Sequence, residues 1–356
     1  MTFLAPPGRA QAKAYGTLSN ICPLCGFPIP TFHLLPLLPL STLADHVAHG
    51  FAQTPKTLSS KYFYDAAGSR LFQQIMALPE YYPTRTELGI FQAQGAAIVR
   101  ALRAGTAAGQ PLAVVELGAG DGLKTKLLLR ELLAQPAAAF TYVPVDISPS
   151  ALDELVASLR QELPALPTEP LAAEYSEALA TLAERPEAKA VLFLGSNIGN
   201  FPPADQQEFL RSLAAPLTAA DRLLVGFDLR KDPRRIRAAY DDAQGVTAEF
   251  NLNLLRRFNA ELDADFDPAH WQHYPDYDPS TGAMRSWLVS RRAQTVRIGA
   301  LGQAFEFAAW EAIHTENSFK FTLPQIAALA DAVGLRVVEV FQDAAGDFAD
   351  EVLARA

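Results

Sequence analysis

Val115-Glu116-Leu117-Gly118-Ala119-Gly120-Asp121-Gly122 closes an apolar run that begins at Leu112, and it leads directly into a helical pattern from Leu123 to Leu133. Strand, glycine turn and helix in that order bring open backbone to the carboxyl end of a sheet, where α/β folds bind cofactors. The turn departs from the G-x-G-x-x-G dinucleotide fingerprint, because its third glycine falls one position early and Glu116 precedes it.

Outward from this turn the pattern repeats. Apolar runs Tyr142 to Val145, Ala190 to Leu194 and Arg222 to Phe227 alternate with helical patterns Ser150 to Leu163, Ser176 to Ala183 and Ala204 to Ala214. Such alternation predicts parallel strands covered on both faces, a doubly wound α/β sheet. Upstream, helices are expected over Leu43 to Phe51, Ser69 to Leu78 and Glu87 to Ala104, the last capped by Thr84 or Thr86. Beyond Lys231 the alternation fails. A long helical stretch Pro233 to Asn259, an aromatic and acidic segment Asp263 to Tyr277, and strand-like runs Ala283 to Ser290 and Gln294 to Ile298 read as an inserted, smaller α+β domain. Helix Pro324 to Ala332 and strand Arg336 to Phe341 return to the sheet. The expected organisation is a variable extension over 1–42, a substrate-binding domain of 43–84 plus 231–319, and a nucleotide-type domain of 85–230 plus 320–356.

The chain has 356 residues, 49% of them hydrophobic, enough for a substantial core. Its 30 basic and 39 acidic residues give a net charge of -9 with no basic cluster, which argues against a nucleic-acid partner. Cys22 and Cys25 form an isolated C-x-x-C without the second pair that a zinc site needs, so no metal is expected; two incidental thiols suit the cytoplasm. The apolar stretch Phe32 to Leu40 is short and broken by Pro36 and Pro39, and the N-terminus has no secretory pattern, so neither a membrane span nor a signal is expected.

Other candidate site residues stand at strand ends. Asp146, after Val145, can accept hydrogen bonds from two ribose hydroxyls, or it caps the helix that follows. Glu174 and Tyr175 stand where a third strand should end. Phe193-Leu194-Gly195-Ser196-Asn197-Ile198-Gly199-Asn200-Phe201 ends the fourth, either as a tight turn or as a loop offering donors and acceptors to the same cleft. The E-L-G-x-G turn resembles motif I of S-adenosylmethionine-dependent methyltransferases, whose positively charged donor has no phosphate to cradle.

A more specific likeness lies in Lys61-Tyr62-Phe63-Tyr64-Asp65, Gly68-Ser69-Arg70-Leu71-Phe72, the run Leu78 to Glu87, Ala239-Tyr240-Asp241-Asp242, Phe250-Asn251-Leu252-Asn253 and Thr315-Glu316-Asn317-Ser318-Phe319-Lys320-Phe321. With the Gly195 loop these resemble the histidine Nα-methyltransferases of ergothioneine biosynthesis, from about Leu43 to the C-terminus. The resemblance implies a Rossmann-like class I methyltransferase fold, S-adenosylmethionine as donor and no metal. It implies a free amino acid, histidine, as acceptor, methylated three times to the betaine; a monomer is expected. It places Gly118 and Lys124 at the donor's amino acid end, Asp146 at its ribose, and Glu174 and Tyr175 on the adenine side. Tyr64, Gly195, Asn200 and Tyr240 would hold the substrate's α-amino acid group, with Tyr64, Asn200 and Tyr240 as candidate catalytic residues. Tyr81, Glu316 and Ser318 would read the imidazole, a ring with two nitrogens that suits a carboxylate and a hydroxyl. One departure is Ser286, where the family often has methionine. Another amino acid such as tyrosine or tryptophan as acceptor, or a binding protein without catalysis, are the alternatives. His270, His273 and His314 are expected at the surface, without a catalytic partner.

Overall fold

The structure, a computed structural model, describes residues 42–107, 109–135 and 139–356. The expected extension, with Cys22 and Cys25, lies outside the described residues apart from Thr42. Leu43–Ala356 forms one compact unit.

Its centre is a seven-stranded sheet in the order Leu335–Gln342, Phe348–Arg355, Arg222–Asp228, Ala188–Phe193, Leu112–Leu117, Phe140–Asp146, Leu171–Ala172. Leu112–Leu117 is buried throughout. Its Leu112 and Val114 enter one core with Ile98, Leu128 and Leu159, while Ala113, Val115 and Leu117 enter the other with Leu182, Leu210 and Ile326. Side chains alternate across a strand, so two apolar faces require helices on both, and each fully buried Val or Leu contributes about 1.5–3 kcal/mol. Six of the seven strands point the same way, but Phe348–Arg355 is antiparallel to both of its neighbours, which makes the sheet mixed.

A four-stranded sheet, ordered Lys56–Thr57, Ala312–Phe319, Ala283–Ser290, Trp271–Asp278, and a hairpin of Gln294–Ile298 with Gln303–Phe307 build on the segment after Lys231. They share a core with the first helices through Phe51, Phe63, Phe250, Phe258 and Leu288. The strands Trp271–Asp278, Gln303–Phe307 and Ala312–Phe319 were not expected.

Three local expectations are corrected. The stretch Pro233 to Asn259 is two helices, Pro233–Ala238 and Val246–Leu262. Gly245 takes φ +75 between them, and the Asp242 carboxylate accepts from the backbone N–H groups of Val246 (2.9 Å) and Thr247 (2.8 Å), starting a new helix. The helix expected from Glu87 begins at Tyr82 with Pro83 in its first turn, so Thr84 and Thr86 lie inside it, and Thr86 Oγ1 donates back to the Tyr82 carbonyl at 2.9 Å. Ser148, not Asp146, caps the helix Pro149–Glu162.

Candidate active site

At the carboxyl ends of the parallel strands, Gly118, Gly120 and Gly122 all have positive φ, which keeps the turn low and its backbone open. A Cβ on Gly118 would stand 3.0 Å from the Tyr175 hydroxyl. Asp146 closes the turn from the next strand: its carboxylate accepts from Gly120 N–H (3.2 Å) and Ser148 N–H (3.0 Å). Tyr175 packs at 5.6 Å against Phe193 and Phe209, and burial pushes its hydroxyl up to about 12. Glu174 is exposed at the start of the same helix.

Glu116 ties its strand to the helix Thr125–Leu133 and to the neighbouring strand Phe140–Asp146. Its carboxylate is buried between the Thr125 and Tyr142 hydroxyls, each donating at 2.5 Å, and burial raises it to about 7 despite those bonds. The acidic residue of E-L-G-x-G therefore supports the sheet from below.

Lys124 is tied to Glu87, whose other oxygen accepts from the Gly195 N–H at 2.8 Å. Glu87 is fully buried in the helix Tyr82–Arg103, so one carboxylate holds together that helix, the glycine turn's helix and the loop after Ala188–Phe193. Burial and the neighbouring Glu87 push Asp350 well above the usual carboxylate range.

Beside the Gly195 loop lies a recess, partly open to solvent, lined among others by Tyr64, Tyr81, Gly195, Asn200, Tyr240, Glu316 and Ser318. These seven expected residues thus meet in one cavity, whereas Gly118, Lys124, Asp146, Glu174 and Tyr175 stand outside it along the strand ends. Gly195 (φ +76) and Ser196 (φ +58) are consecutive left-handed residues that turn the chain into the short helix Asn197–Asn200. Tyr64, 41% exposed, packs edge-on against Phe72 and Phe250 at the mouth. Tyr81 and Tyr240 meet edge-on at 6.3 Å, and burial holds both hydroxyls well above their ordinary value.

Glu316 and Ser318 come from one face of Ala312–Phe319, two residues apart, after a register irregularity between His314 and Glu316. Burial raises Glu316 to about 7, with Lys320 pulling it partly back. Ser286 pairs with Glu316 across the ladder and is buried, but it does not line the recess.

Next to Tyr240 and Ser318, and lining the recess with them through Asp228 and Lys320, lies a network not anticipated from the sequence. Buried Asp228 at the end of its strand holds Lys320 at 2.8 Å and also Lys231, and accepts from the Tyr82 hydroxyl at 2.8 and 3.0 Å. The two ammonium groups hold Asp228 below the usual range against its burial. Lys320 follows the two-residue alternation after Glu316 and Ser318, a signal from which it could have been found. The three histidines are half-buried rather than at the surface, and none lines the recess. Burial lowers His273 to about 4.

Residues 43–355 match the family described as "Histidine-specific methyltransferase, SAM-dependent". The chain belongs to that family. This methyltransferase is 40% identical over 302 residues to a histidine N-alpha-methyltransferase of Mycolicibacterium smegmatis, covering 85% of this chain and 91% of that protein. A histidine N-alpha-methyltransferase of Mycobacterium tuberculosis is 39% identical over 87% of this chain and 94% of its own. The ergothioneine biosynthesis protein 1 of Schizosaccharomyces pombe is 29% identical over 85% of this chain but only 39% of that longer protein. Methylation uses S-adenosylmethionine as donor. Among the described residues no group of three or more His, Cys, Asp or Glu is placed to hold a metal ion, and no helix is long and apolar enough to cross a membrane.

Proposed function

We propose that this methyltransferase acts on the α-amino nitrogen of free L-histidine, in three successive transfers that yield the betaine. The observation that carries the reading is the shared cavity, in which Glu316 and the Ser318–Tyr240 hydroxyl pair lie within one recess with Asn200 and the Gly195 loop. In this reading the segments 43–84 and 231–319 grip the amino acid and the rest holds the donor.

Gly118 lets the chain's backbone approach the donor closely, Asp146 takes its ribose, Glu174 and Tyr175 flank the adenine, and Lys124 faces the amino acid end. The bound donor supplies an electrophilic sulfonium methyl to a neutral amine. The chain's own task is to fix that amine: Asn200 and Tyr240 orient the α-amino acid group, and Tyr64 shields it at the mouth. The Gly195 N–H is already committed to Glu87, so its contact with the substrate falls to the carbonyl. Orientation of this kind supplies much of the acceleration. The cavity-lining residues include no histidine base, and the partly open mouth lets the ammonium proton leave to water. Contacts through carbonyl groups or water tolerate an amine that loses its N–H hydrogens with each methyl.

The reading includes a cytoplasmic monomer without nucleic-acid or membrane partners, in keeping with the net charge of -9 and the two cysteines. Isothermal titration of histidine against tyrosine and tryptophan tests it. Preference for histidine is expected, and equal or better binding of an aromatic amino acid refutes it.

A further inference from the structure

We propose that Lys320 fixes the hydrogen-bond polarity of the ring pocket, so that the site binds the acceptor's imidazole only as the neutral ring with one bare nitrogen. The inference rests on the histidine reading above and concerns how that ring is chosen.

An ammonium group has three hydrogens and no acceptor. Lys320 has three oxygen partners: Asp228 Oδ2 at 2.8 Å, Ser318 Oγ at 2.8 Å and Tyr240 Oη at 2.9 Å. All three hydrogens are therefore committed in a buried position where water does not compete. The Tyr240 hydroxyl in turn donates to Ser318 Oγ at 2.7 Å, the direction expected when a phenol, the better donor, meets an alcohol.

Ser318 thus accepts twice, from Lys320 and from Tyr240. A hydroxyl has two lone pairs and one hydrogen, so its remaining direction carries the hydrogen. Ser318 is a donor to whatever fills the recess. Glu316, two residues earlier on the same strand face, is an acceptor, as a carboxylate or through the carbonyl oxygen of the neutral acid. One donor and one acceptor match an imidazole with one bare nitrogen and one N–H. An imidazolium would set its second N–H against the Ser318 hydrogen. The other ionisable groups around the network are Asp228 and Lys231, paired with each other, the Tyr81 and Tyr82 hydroxyls, which burial holds protonated, the Tyr277 hydroxyl, which burial also raises, the Arg230 guanidinium on the Lys320 carbonyl, and Tyr64 at the mouth.

Lys320→Met removes the ammonium while Asp228 keeps Lys231 and the Tyr82 hydroxyl. Ser318 then regains a free lone pair and can receive a ring N–H. Lys320 is a positioning residue in this scheme, and its signature is the protonation state of the bound ring.

The test uses histidine labelled with 15N in the ring, bound to the full chain with S-adenosylhomocysteine at pH 6, below the ordinary imidazole pKa of about 6.5. In the wild type one ring nitrogen is expected at the shift of a bare nitrogen and one at that of an N–H, although much of the free ligand is doubly protonated. In Lys320→Met the bound ring is expected to become doubly protonated. A doubly protonated ring in the wild type overturns the proposal while leaving histidine as substrate, and that spectrum decides whether or not the variant folds. A ring that stays neutral in a folded, histidine-binding Lys320→Met also overturns it, since a merely structural lysine would change affinity and not protonation. No histidine binding by the wild type overturns the proposed function and this inference with it.

Discussion

Replacing Glu316 by glutamine keeps the side chain's shape and removes its charge. Burial raises this carboxyl to about 7, so it is about one-tenth ionised at pH 6, half at pH 7 and nine-tenths at pH 8. A charge-assisted bond to a ring N–H is stronger than a neutral one by about 1 kcal/mol, roughly fivefold in affinity. The ratio of wild-type to Glu316→Gln affinity for histidine is therefore expected to be about 5 at pH 8 and to approach unity at pH 6. The sign follows from linkage. A ligand that prefers the carboxylate lowers its pKa, so binding near pH 7 releases a proton in the wild type and none from this position in the variant. Protonation of the histidine ring weakens both proteins alike, and the ratio cancels it. Titration calorimetry with S-adenosylhomocysteine present, at three pH values and in two buffers of different ionisation enthalpy, measures both quantities. A ratio independent of pH would refute the assignment of Glu316 as the ring's acceptor.

Truncation to alanine at the same position leaves a ring nitrogen without a partner, and histidine affinity should fall by about 1–3 kcal/mol in the same assay. Gly118→Ala adds a methyl 3.0 Å from the Tyr175 hydroxyl at φ +77; S-adenosylhomocysteine should bind about fivefold more weakly, at a strain cost near 1 kcal/mol, while an unchanged affinity would remove the turn from the donor site. Glu116, raised from 4.5 to about 7, holds its proton more tightly folded than unfolded, so its favourable contribution is complete below pH 4.5 and is lost as pH rises through 7. Urea unfolding should show Glu116→Gln gaining on the wild type by up to about 3 kcal/mol between pH 5 and 8. Asn200→Ala should raise KM for histidine with donor affinity unchanged, as read from initial rates and separate donor titrations.

How far the sequence reveals this molecule depends on where its charges go. Leu112–Leu117, Ala283–Ser290 and Gln294–Ile298 are strands with the bounds expected from their apolar patterns. Phe348–Arg355 is concealed because Asp350 and Glu351 are buried in it, which breaks any apolar signature. In the same way Trp271–Asp278 mixes its aromatic residues with Gln272, His273, Pro275, Asp276 and Asp278 and reads as a loop until its ladder partner is known. At the site, the Gly118 turn and Asp146 follow from strand-end chemistry alone. Glu316, Ser318 and Tyr240 came with the family motifs, since a strand carboxylate or a tyrosine has many ordinary uses. Glu87 is indistinguishable in sequence from a solvated helix glutamate, yet it is fully buried and joins Lys124 to Gly195. Asp228 and Lys320 are 92 positions apart and pair only because Phe321 bridges to Leu229 beside the sheet.

Mass spectrometry of a reaction containing S-adenosylmethionine and an equimolar mixture of the common amino acids tests the central claim most directly. Mono-, di- and trimethylated histidine should appear in succession, with the other amino acids unconsumed. Methyl groups on a different amino acid, or no methylated product from an enzyme that binds its donor, would contradict the account.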